Sequence, residues 1–165
     1  MNTTSNPFFE EKLFYFEFIR VIGKSVNKGA DILECLYTAQ KIKQSGTIIE
    51  KIASWHEEWK KLALRTQAIA DNCLAKNHKV SAREAYLRAA EYFRIAEFYL
   101  HTPENPDNPE MYSLWNSWKK CFANALKLFE IPFEVIKVPY EGTTLPGYFL
   151  PAQNKELRKN NIDDL

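Results

Sequence analysis

Apolar residues recur at three- and four-residue steps through most of this chain of 165 residues, and the spacing predicts about five helices. The clearest run is Val80 to Leu100. There Ala82, Ala85, Tyr86, Ala89, Ala90, Phe93 and Ala96 share one face, with Arg83, Glu84, Arg88, Glu91, Arg94 and Glu97 on the other. Ser81 and Glu84 stand at capping-box spacing, and Glu84 precedes Arg88 by four, the favourable order for an ion pair. A face of alanines admits close neighbours, so this is a helix to be surrounded. Before it, Asn6-Pro7 opens a first helix through Phe8, Phe9, Leu13, Phe14, Phe16, Phe18, Ile19 and Ile22, with Gly23 as its stop. Asp31 and Glu34 start a second, running to about Gln44, with Ile32, Leu33, Leu36, Tyr37, Ala39 and Ile42 apolar. Thr47 and Glu50 start the longest run, to about Lys76, with Ser54 and Glu57 offering a restart. A fifth helix spans about Glu110 to Phe129.

At Pro132 the period changes. Phe133, Val135 and Val138, then Leu145, Tyr148 and Leu150, flank Glu141-Gly142-Thr143 and read as two antiparallel strands joined by a short turn. A two-stranded ribbon alone is marginally stable, so this one is expected to lean on the helices or to be extended by further sheet. The fold class is therefore mainly α: a bundle of about five helices followed by a short C-terminal β-hairpin. The expected divisions are a helical domain over 1–131, the hairpin over 132–152 and a flexible tail over 153–165.

Composition narrows the partners. With 45% hydrophobic and 26% charged residues, disorder is confined to the ends. A net charge of +1, without a clustered basic stripe, argues against nucleic acid and anionic membrane surfaces as partners. No apolar run approaches the roughly 18 residues of a membrane span, and the N-terminus lacks the features of a secretory signal. Cys35, Cys73 and Cys121 are odd in number and form no C-x-x-C pair, which favours a reducing compartment. The expected location is cytoplasmic.

Candidate chemistry is sparse. No G-x-S-x-G elbow and no glycine-rich phosphate loop occurs among the five glycines. His56, His78 and His101 have no metal-ligand spacing, and Glu97 with His101 misses the three-residue step of a di-metal bundle site. No catalytic, metal or cofactor-binding residue is expected. Trp55 and Trp59 lie one turn apart and build a flat wall. Core or interdomain packing is its favoured use, a pocket or interface lined by Trp55, Trp59, Tyr86 and Phe93 the second. The aromatic first helix, through Phe9, Phe14 and Phe16, suits core packing first and self-association second.

Five segments, FYFEFIRVIG, KGADILECLYTAQKIKQSG, SWHEEWKKLA, NHKVSAREAYLRAAEYFRIAEFYL and VPYEGTTLPGYFLPA, together resemble one family. In order and spacing they are similar to the N-terminal part of bacterial and fungal α/β-hydrolases of the dihydropseudooxynicotine hydrolase and acylaminoacyl-peptidase-like esterase type. The resemblance runs from about Phe8 to Ala152. It implies a cap-like helical domain that packs over a catalytic domain, helps enclose substrate and makes dimer contacts, followed by the opening hairpin of the hydrolase sheet. The family's oxyanion segment, nucleophile elbow, acid and His have no counterpart in PAQNKELRKNNIDDL, so no catalytic residue carries over. Two expectations follow: a piece of a longer serine hydrolase, inactive alone, or a shortened protein reused as an interaction module. The partners expected are a second copy of the chain or a hydrolase domain.

Overall fold

The computed structural model describes residues 8–102, 105–129 and 131–151. Asn6, Pro7 and the expected tail over 153–165 lie outside them. The chain divides into two compact units, residues 1–128 and 129–165.

The first unit holds α1 (Lys12–Gly23), α2 (Ile32–Ala39), α3 (Ile48–Ala75), α4 (Lys79–Glu97) and α5 (Pro109–Lys127). Gly23 is the last residue of α1, but the reversal comes later. A 3₁₀ segment, Lys24–Asn27, follows, and Lys28 takes the left-handed conformation at φ 64°. Helix α2 stops at Ala39, short of Gln44, because its last turn tightens: Lys41 N–H donates to Thr38 O and Ile42 N–H to Ala39 O. That turn carries Ile42 into the core. Thr47 and Glu50 form a complete capping box, and α3 then runs unbroken for 28 residues, without the restart at Ser54. The Ser54 hydroxyl instead accepts from Lys43 N–H at 3.0 Å.

The start of α4 corrects the sequence reading. Its N-cap is His78, and Ser81 lies inside the helix, so the Ser81–Glu84 box is not formed. The cause is the end of α3. Asn77, at φ 59°, donates to Leu74 O, and His78 donates to Cys73 O, the paired bonds of a Schellman cap. The chain thus leaves α3 and enters α4 within three residues, earlier than a cap at Ser81 allows. The seven residues of the alanine face are all buried, and Tyr92 and Ile95 beside them are buried too. Helix α4 packs against both α3 and α5, and α1 also reaches it. The expected Glu84–Arg88 pair is replaced by contacts between elements: Glu84 pairs with Lys28 at 3.7 Å and Arg88 with Glu34 at 3.2 Å.

The second unit is a two-stranded antiparallel ribbon, β1 (Glu134–Tyr140) and β2 (Thr143–Phe149), with Val138 opposite Leu145. Glu141 and Gly142, at φ 43° and 77°, make the two-residue turn whose twist suits a hairpin. Alternation puts Ile136, Val138, Tyr140, Leu145 and Phe149 on one face. The molecule is mainly α with a short β-hairpin.

Candidate functional site

The aromatic residues singled out in the sequence are interior. Trp55 and Trp59 are 0% exposed, Phe93 1% and Tyr86 2%. Their positions follow from α3 and α4 lying face to face. The Trp55 indole N–H donates to Ile95 O at 3.0 Å, which ties the first third of α3 to the end of α4. Its ring stacks on Phe14 at 5.1 Å and meets Phe9 at 5.4 Å and Tyr99 at 5.5 Å. Trp59 adjoins Tyr92 at 5.9 Å. The Tyr86 hydroxyl donates to the Asp71 carboxylate at 2.5 Å, and burial together with that carboxylate pushes its pKa up to about 12. Of the three phenylalanines considered for self-association, Phe9 and Phe14 belong to this core cluster. Phe14 faces inward because the buried side of α1, with Phe18 and Val21, packs onto the tryptophans, and Phe9, just before the helix, packs on Trp55 beside it. Phe16 alone is presented to solvent, at 60% exposure, in a stripe with Leu13 and Ile19.

Neither described cavity is lined by those aromatics. The larger is a half-open groove of about 470 Å³ between α2 and α3. Leu33, Glu34, Tyr37, Thr38 and Lys41 line one side; Glu58, Lys61, Leu62 and Arg65 line the other. A smaller hollow of about 320 Å³ lies around Lys28, Asp31, Glu84 and Arg88. Glu34 connects the groove to the core. Its carboxylate accepts from Arg88 Nε at 3.2 Å and from the Tyr92 hydroxyl at 2.8 Å, and that hydroxyl also accepts from Asp31 N–H at 2.8 Å. A capping box at Asp31 and Glu34 is therefore only half formed. Asp31 accepts from Glu34 N–H, and Tyr92 takes the place expected of the Glu34 side chain. The sequence reading placed Leu33 and Tyr37 among the apolar positions of α2. No spacing in the sequence brings α2 beside the middle of α3.

Reactive groups are muted. Cys35 and Cys121 are buried, and burial pushes each thiol up to about 12, the opposite of an activated nucleophile. Among the described residues no group of three His, Cys, Asp or Glu side chains could hold a metal ion. His56 touches Ala96 O through Nδ1 at 3.1 Å, and its Nε2 lies 3.6 Å from Glu110, which Lys60 also holds at 2.5 Å. That corner joins α3, the end of α4 and the start of α5.

The helical bundle with its trailing ribbon is homologous to proteins named hydrolases and α/β-hydrolases, at about a third identity across most of the chain. The hydrolase LUC6 of a Fusarium species is 34% identical over 151 residues, covering 90% of this chain and 34% of the relative. The 20-hydroxy-prefusarin hydrolase FUS2 of Gibberella moniliformis is 32% identical over 151 residues, again 90% of this chain and 34% of the relative. The α/β-hydrolase xenA of Xenoacremonium sinensis is 35% identical over 143 residues, 86% of this chain and 32% of the relative. The chain thus spans about a third of the length of the curated relatives it matches. No family model matches it.

Proposed function

We propose that this chain acts as the helical cap region of an α/β-hydrolase-like protein of the esterase or amidase class, enclosing substrate and contributing dimer contacts, and that it is not catalytic alone. One observation carries the reading. A match covering 90% of the chain necessarily runs through α2 to α5 and into both strands of the ribbon, so one continuous sequence similarity takes in bundle and hairpin together. The high thiol pKa values of the buried cysteines and the lack of an elbow serine in the sequence fit a non-catalytic role. The proposed setting is the cytoplasm, in keeping with three free cysteines. No helix among the described residues is long and apolar enough to cross a membrane. The test is hydrolysis of p-nitrophenyl acetate by the purified chain. No turnover above buffer is expected, and turnover that a serine substitution abolishes overturns the reading.

A second reading, a self-associating interaction module, draws support from the exposed Leu13, Phe16 and Ile19 on α1. Sedimentation separates it from the first, since a monomer at every concentration removes assembly from the account.

A further inference from the structure

We infer that the groove between α2 and α3 binds a small amphipathic carboxylate, one acid group on a flat or branched apolar body. This goes beyond the cap reading and does not depend on it. The volume of about 470 Å³ suits a small organic molecule. Its walls offer apolar contacts to a ligand: Leu33 is 64% and Tyr37 65% exposed, and buried Leu62 also lines it. The charge balance then selects the ligand's polar end. Both acids in the lining are already held, Glu34 by Arg88 and Tyr92, and Glu58 by Lys61 at 2.9 Å. Lys41 and Arg65 line the same groove, are exposed, and make no ion pair among the described residues. Two unengaged cations beside these apolar contacts favour an anion with a hydrophobic body. The planar Arg65 guanidinium can offer a carboxylate two parallel N–H donors. A neutral ligand would leave those donors to water, and a cation would meet repulsion.

The experiment is an NMR titration of the full isotope-labelled chain with 4-phenylbutyrate and, separately, its neutral amide. Saturable shifts confined to Leu33, Tyr37, Lys41, Leu62 and Arg65 are expected, with the amide at least about tenfold weaker. Arg65→Ala, at an exposed position and so compatible with folding, is expected to weaken the carboxylate about tenfold; Lys41→Ala is a second variant with the same expectation. Equal binding of acid and amide, shifts centred elsewhere, or no saturable shift up to millimolar ligand each overturns the inference. Loss of binding in neither variant does so too.

Discussion

Removing the hydroxyl of Tyr92 is the sharpest single-atom test of how α2 is fixed to α4. That oxygen accepts from Asp31 N–H and donates to Glu34, and it is wholly buried between them. Tyr92→Phe keeps the ring against Trp59 and leaves both partners short of a bond. It is expected to cost about 1–2 kcal/mol, read as a lower urea midpoint with an unchanged slope. Trp55→Ala is the contrasting case, expected to cost about 3–5 kcal/mol, because it empties the centre of the Phe9, Phe14 and Tyr99 cluster. A third residue-scale effect depends on pH. The Lys51 ammonium bonds Glu11 and holds its carboxyl below the ordinary value. A folded pKa below the unfolded one means stability present above about pH 4.3 and lost as pH falls through the folded value. Glu11→Gln is therefore expected to be less stable by about 0.5–1 kcal/mol at pH 7, a figure already reduced for solvent screening of a partly exposed pair. The gap should close in acid denaturation curves below about pH 4. A gap that persists in acid would show that packing, not charge, sets it.

At the scale of elements, two serine/threonine caps look alike in sequence and differ in the structure. Thr47 caps α3 with both halves of its box in place, whereas Ser81 lies within α4 behind the N-cap His78. Thr47→Ala is accordingly expected to lower stability by about 1 kcal/mol, and Ser81→Ala to change it by less than about 0.5 kcal/mol. Equal losses in thermal melts would refute the observed start of α4. The pair also shows what the sequence conveys about elements. Periodicity locates α3, α4 and α5 and the alanine face of α4, since burial on one side repeats along the chain. It does not tell which of two local caps is used, because the Schellman bonds of Asn77 and His78 fix the connection first. Nor does it show that Tyr92, 61 residues beyond Asp31, completes a cap on another helix. The groove was illegible for the same reason. Leu33 and Arg65 each have an unremarkable local pattern, and only the placement of α2 beside α3 brings them together. The hairpin was legible to its turn because its register is local. Its prolines obey the same logic. With Tyr140 opposite Thr143 at the turn, Pro139 and Pro146 fall at positions whose N–H would point away from the partner strand, so neither breaks the ladder.

For the whole molecule the outstanding question is what covers the apolar surface that folding leaves open. The buried side of α1 is used up on the tryptophan cluster, while Leu13, Phe16 and Ile19 on its other side remain in water. If α1 is a subunit contact, disrupting that stripe must separate assembly from folding. Phe16→Asp replaces a residue 60% exposed and is expected to leave the melting temperature within about 2 °C. The same substitution puts a charge into the middle of any α1-mediated interface and is expected to weaken association at least about tenfold in sedimentation equilibrium. Phe14→Asp is the informative companion. Two positions away on the opposite side of the helix, it buries a carboxylate against Trp55 and is expected to unfold the bundle. The contrast between the two decides the matter. An assembling wild type whose association survives Phe16→Asp would take the contact away from α1. It would move it to another exposed face, such as the Ile136, Val138 and Leu145 side of the ribbon.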